Sequence, residues 1–208
     1  MNKQQNGLMI SFAMLIMLLF AGCATVNKQH PLIVTDEDIK AGNKDEYADV
    51  YFIRPRLLKT KGPADKTIRV EFQGQTLLNI GEGSYTLLRI KPSKGQVKVY
   101  NETKFINKID PIEVWRAREY KFIPDKTYFI YLRRIDEEFR GVFFEPEPVT
   151  LKEAKILIDQ ARASGNARHA PIDKLTEVSE PPSSATDELT PALPENIYKS
   201  EKYLKPVR

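Results

Sequence analysis

The chain has 208 residues, which suits one domain of ordinary size with flexible ends, and a single domain is expected. Its 32 basic and 28 acidic residues are interspersed and leave a formal charge of +4, which is no basic footprint for nucleic acid, so none is expected as a partner. The single cysteine excludes an internal disulfide, and stability must come from the core.

The first predicted element is a leader. Lys3, an apolar run over residues 8–20 and then Phe20-Ala21-Gly22-Cys23 have the layout of a bacterial lipoprotein signal peptide, covering residues 1–22 and cut between Gly22 and Cys23. The sulfur of Cys23 is then expected to carry a diacylglycerol, and its freed amine a third acyl chain such as palmitate. This covalent lipid is the only cofactor expected. Each buried methylene contributes about 0.8 kcal/mol and one chain holds only reversibly, so two or three chains anchor stably. An uncleaved membrane helix would need roughly 20 apolar residues, more than the stretch from Gly7 to Gly22 provides. A protein cut by ordinary signal peptidase would keep an odd thiol in an oxidising compartment. Ala24 rather than Asp follows the cysteine. By resemblance to Gram-negative lipoproteins this points to the outer membrane, facing the periplasm.

Residues 23–47 read as the lipidated cysteine and a polar tether holding the domain off the membrane. From residue 48 the composition turns β-prone. Residues 48–54, ended by Pro55, form a nearly continuous apolar run, the pattern of a strand buried on both faces. Residues 67–73 alternate with Ile68, Val70 and Phe72 on one face, and Gly74 predicts a tight hairpin into residues 76–80. Further strands are predicted over residues 84–90 and 96–100. The spacing of short strands and turns predicts an antiparallel β-sandwich or small barrel.

Residues 101–116 break the rhythm and read as an insertion. Strands follow over residues 119–123, 127–135 and 141–144. Thr150-Leu151-Lys152-Glu153 is a capping box and predicts a helix that packs Leu151, Ala154, Leu157, Ile158 and Ala161 on the sheet and stops by Gly165. The domain is thus expected to span residues 48–164. Residues 165–208 read as a Pro/Ser-rich flexible tail, with six of the fourteen prolines falling in residues 166–208. Its end mixes Tyr198 and Tyr203 with lysines, the pattern of either a solvated terminus or a docking peptide.

Tyr51-Phe52-Ile53-Arg54-Pro55, Gly83-Ser84-Tyr85, Gly95 before Val97 and Val99, and Asp125-Lys126-Thr127-Tyr128 together resemble a group of bacterial lipoproteins. Its members carry a domain of unknown function that opens with a Y-F-x-R-P strand. Asp125 stands where glycine is usual in that group. The resemblance covers residues 48–163 and implies a β-sandwich lipoprotein of the cell envelope, without supplying an activity.

Candidate chemistry is sparse. His30 and His169 fall outside the expected domain, which disfavours a Ser-His-Asp or histidine-zinc site. Asp136, Glu137 and Glu138 are neighbours in a turn and poorly placed to flank a glycosidic bond. Glu82 and residues 145–147 lack the pattern of a calcium loop, and no phosphate-binding loop is present. No metal and no enzyme activity are expected. For binding, Arg54 pairs within the domain or recognises an anion. Trp115, beside Arg116, is a core plug or an exposed aromatic anchor. Three functions follow: a non-enzymatic accessory or adaptor with an envelope protein partner, a module binding peptidoglycan or another polysaccharide through Tyr100, Trp115, Tyr120 and Tyr131, or a hydrolase.

Overall fold

Strand β1 (Ala48–Arg54) organises the fold because both of its faces are apolar. The computed structural model describes residues 32–34, 46–56, 66–105, 109–137, 141–181 and 191–192. The expected signal peptide, Gly22, Cys23, His30, Glu138, Tyr198 and Tyr203 lie outside these residues.

The fold is mainly β, with two five-stranded sheets. Sheet A holds β8 (Gly141–Val149), β7 (Thr127–Glu137), β1, β4 (Ser84–Ile90) and β9 (Arg162–Gly165), in that order. Sheet B holds β10 (Pro191–Ala192), β6 (Ile112–Phe122), β5 (Ser93–Thr103), β2 (Ile68–Phe72) and β3 (Gln75–Ile80). One apolar core joins them: Ala48, Val50, Phe52, Ile130 and Leu132 from sheet A meet Val70, Phe72, Val97, Val99 and Phe122 from sheet B. This arrangement is consistent with a β-sandwich. Sheet B is antiparallel throughout, but in sheet A β1 runs parallel to β7 and β4 parallel to β9, so the expected antiparallel pairing holds only in part. A central strand buried on both faces tolerates a parallel neighbour.

The opposite face of β1 presents Tyr51 and Ile53 to a second core with Tyr85, Leu87 and Phe129. Helix α1 (Leu151–Leu157) covers it, started by the capping box of Thr150 and Glu153. Leu151, Leu157, Ile158 and Ala161 pack there with the buried Ala154. The helix is shorter than predicted: a 3-10 turn over Ile158–Gln160 leads into β9. Gly165 is therefore in a strand, and the chain stays packed through 3-10 turns that bury Ala167 and Ile172. The flexible tail expected from residue 165 thus begins no earlier than the end of this packed segment.

Two other expectations are corrected. Residues 101–116 are no insertion, because β5 and β6 form a hairpin of eleven paired positions from Ser93↔Phe122 to Thr103↔Ile112. Asn101 and Thr103 continue the inward alternation of Val97 and Val99, and polar side chains disguised that period. They are buried because they bond β8: Asn101 Nδ2 donates to the Val142 carbonyl at 2.9 Å, and the Val142 N–H donates to Thr103 Oγ1 at 2.8 Å. Strand β8 also continues past Phe144 through Pro146 and Pro148. Residues of one parity in a strand aim their N–H and C=O to the same side, so Val142, Phe144, Pro146 and Pro148 all face away from β7. The prolines sit where the ladder needs no donor, as edge strands allow.

The tether is interrupted as well. Ile33 bridges Ile90, the Val34 N–H donates to the Arg89 carbonyl at 2.9 Å, and the Lys91 N–H donates to the Leu32 carbonyl at 2.9 Å. The chain is thus fastened to the end of sheet A where β1 begins and β4 ends.

Candidate functional site

The outer face of sheet B gathers the most chemistry. Three neighbouring strands place Arg69 beside Tyr100 and Tyr100 beside Trp115, in direct cross-strand register. The Tyr100 and Trp115 rings lie 6.4 Å apart at 44°. The Arg69 guanidinium stands 4.5 Å from the centre of the Tyr100 ring, and Lys98 Nζ 4.9 Å from that of Trp115, both within cation–π range. Arg69 also pairs with Glu71 at 2.9 Å and Glu113 at 3.1 Å. Burial raises the Tyr100 hydroxyl above its ordinary pKa, and the Glu71 carboxylate adds to the shift. The result is a half-buried aromatic pair edged by charges of both signs, suited to a neutral or mixed-charge surface.

The other proposed aromatics do not join it. Tyr120 is buried between the sheets and donates to the Pro146 carbonyl at 3.2 Å. Tyr131, on β7 of sheet A, is half-buried, and burial with the nearby Glu147 carboxylate raises its hydroxyl pKa. The set of four suggested for glycan stacking is therefore split.

Arg54 is 2% exposed and faces the interior. Its Nη1 donates to the Lys66 carbonyl at 2.7 Å and the Ile80 carbonyl at 2.8 Å, and its guanidinium stacks 4.8 Å from the Phe144 ring centre. Arg116 is also on the inner side, 4.3 Å from the Phe143 ring centre, so it is separated from Trp115 by strand alternation. Arg118 meets Glu145 at 3.4 Å, while Arg133 holds Glu145 at 2.9 Å and Glu147 at 2.6 Å. Glu145 and Glu147 are thus engaged by these arginines. Asp136 pairs at 3.2 Å with Arg134, whose side chain is only 9% exposed. His169 lies at the surface after the 3-10 turn Asn166–Arg168. Among the described residues no three His, Cys, Asp or Glu side chains are grouped to hold a metal ion.

Sequence reasoning identified Trp115 but missed Arg69 and Lys98 as its companions. The signal was available: Arg69, Lys98 and Tyr100 occupy the polar parity of strands whose other parity is Val70, Val97 and Val99. Comparison with family models, curated proteins and solved structures finds no match.

Proposed function

We propose that the protein is a lipid-anchored envelope lipoprotein, acylated at Cys23, that acts without catalysis as an accessory or adaptor for another envelope protein. The β-sandwich lipoprotein group with the Y-F-x-R-P strand is the family this reading draws on, and the outer membrane facing the periplasm its proposed location. The observation that carries the reading is the lipobox Phe20-Ala21-Gly22-Cys23 ahead of a domain fastened from Leu32 onward. Fully extended, the chain between Cys23 and Leu32 reaches about 30 Å, so an acylated Cys23 would keep the domain close to a bilayer. Support for an adaptor over a glycan module comes from the aromatics: only Tyr100 and Trp115 converge, and both rings have a cation over them.

The test has two parts. Metabolic labelling with an alkynyl fatty acid should tag the wild-type chain and leave Cys23→Ser unlabelled and released from membranes; equal labelling of both would overturn the anchor. Cross-linking in intact cells should then recover one reproducible protein partner. Recovery of cell-wall fragments alone would overturn the adaptor.

A further inference from the structure

The chain is fastened to the domain twice before β1 is complete, and the first fastening is short. One side of β4 is taken by β1 along its whole length, from Ala48↔Ile90 to Arg54↔Ser84. The other side is shared: β9 pairs with Ser84 to Leu87, and Ile33 bridges Ile90 beyond it. The two bonds of this bridge, from the Val34 N–H to the Arg89 carbonyl and from the Lys91 N–H to the Leu32 carbonyl, flank Ile33 and Ile90. That makes them a non-hydrogen-bonded pair, the kind whose side chains stand closest. Val34 is buried, and Leu32 and Ile33 pack against the core between the sheets. The second fastening is at Tyr47 and Asp49. The Asp125 N–H donates to the Tyr47 carbonyl at 3.0 Å, the Asp49 N–H to the Lys126 carbonyl at 3.0 Å, and β1 then lies between β4 and β7. In the intervening sequence, residues 35–45, Ile39 is the only large apolar side chain, a composition with little apolar burial to give up when drawn out.

Tension on an anchored Cys23 reaches Leu32 to Val34 before any other described residue, and it breaks their two bonds one at a time, starting at Leu32. Strand β1, paired at seven positions with β4 and at five with β7, resists the next pull. Local opening of a short terminal piece needs far less free energy than global unfolding. We propose that Leu32 to Val34 form a releasable clip that sets the length of the lipid tether. Closed, the clip leaves about 30 Å of extended chain between Cys23 and the domain; open, it frees the chain as far as Tyr47, about 80 Å. The domain of an adaptor can then stay anchored while it follows a partner that stands farther from the bilayer. This inference rests on the acylation of Cys23 and gives the adaptor reading its range.

The test uses the full acylated chain in vesicles that contain a dansyl lipid, with energy transfer from Trp115, the chain's only tryptophan, reporting how far the domain stands from the bilayer. Ile33→Cys with Ile90→Cys locks the clip, because a non-hydrogen-bonded antiparallel pair has the close Cα spacing that a disulfide needs, and an acylated Cys23 offers no competing thiol. Val34→Pro opens it by removing the N–H that bonds the Arg89 carbonyl. Transfer should be strongest in the oxidised double variant, fall when that variant is reduced, and be weakest in Val34→Pro. Amide exchange of the wild type needs no variant: Val34 and Lys91 should exchange about 100-fold or more faster than β1, the mark of a clip that opens without the domain. Clip amides as protected as those of β1, or equal transfer from the oxidised and Val34→Pro chains, would overturn the proposal. Absence of acyl label on Cys23 would remove the anchor and the length setting together. Label on Cys23 with equal transfer would remove the length setting alone, and transfer in the expected order with no cross-linked partner would keep the clip and remove the adaptor.

Discussion

Arg54 shows how one side chain can hold several elements at once. It ends β1, donates to the Lys66 carbonyl just ahead of β2 and the Ile80 carbonyl at the end of β3, and stacks on Phe144 of β8. Arg54→Met would keep the volume and strip the donors from two carbonyls. Hydrogen bonds to a charged group are worth about 1.5–3 kcal/mol, and buried acceptors left unpaired add to the loss, so a destabilisation of about 3 kcal/mol is expected. Urea unfolding should show it as a lower midpoint at unchanged slope. Thr150 and Glu153 are exposed, and their effect is smaller. The Glu153 N–H donates to Thr150 Oγ1 at 3.3 Å, while Glu153 Oε2 accepts from the Thr150 N–H at 2.8 Å. Thr150→Ala should cost about 1 kcal/mol at neutral pH. The bonds from Thr150 hold the Glu153 carboxyl below its ordinary value of 4.5. A depressed folded pKa means that this stabilisation is complete above the ordinary value and is lost as pH falls through the folded one. Thr150→Ala keeps the backbone bond to the carboxylate but loses the one that Thr150 Oγ1 donates to Glu153 Oε2 at 2.9 Å, so the gap between wild type and variant should narrow in acid by that bond's share, which denaturation series at neutral and acid pH would measure.

At the scale of elements, the prolines of β8 have a consequence for association. Pro148→Val restores an N–H on the free side of an edge strand and adds β propensity. The folded monomer should change by no more than about 0.5 kcal/mol, as surface substitutions usually do. Self-association should rise with concentration, seen as an increase in scattering mass that wild type does not show; a monomer at all concentrations would contradict the edge-protection argument. The same prolines explain why the sequence alone ends β8 at Phe144: proline weakens a strand assignment unless its outward parity is known, and parity depends on pairing with β7. Plain alternation made β2 legible, because its apolar parity of Ile68, Val70 and Phe72 is uninterrupted. The Gln73-Gly74 turn was equally legible: both residues have positive φ, as a two-residue hairpin turn requires. β6 was half hidden because its inner parity runs Val114, Arg116, Arg118, Tyr120, Phe122, and arginine within a core face has no sequence signature. Of the candidate site, Trp115 was visible as a residue type, whereas its pairing with Tyr100 needed the full register of β5 and β6.

At the scale of the molecule, sheet A is a shared wall between two cores, and the chain after α1 completes the second. Composition suggested that order ends at Gly165, because residues 166–208 are rich in proline and poor in bulky apolar side chains. Packing needs few such side chains if each is well placed. Ala167 and Ile172 are fully buried, Ala170 accepts from the Tyr51 hydroxyl at 2.8 Å, and the Ser179 carbonyl accepts from the Thr127 N–H at 2.8 Å. Strand β9 pairs with β4 from Ser84↔Arg162 to Leu87↔Gly165. Ending the chain after Pro181 removes none of these contacts, whereas ending it after Ala161 removes all of them and exposes Tyr51, Tyr85 and Leu87. Burial of one large apolar side chain is worth about 1.5–3 kcal/mol, so the shorter chain loses several such increments from a total stability of about 5–15 kcal/mol. The chain ending after Pro181 should unfold in one cooperative transition near the wild-type midpoint. The chain ending after Ala161 should unfold at a far lower midpoint or be recovered unfolded. Near-ultraviolet circular dichroism and thermal melts of the two would decide it, and equal stability of both would mean that the second core contributes little to the fold.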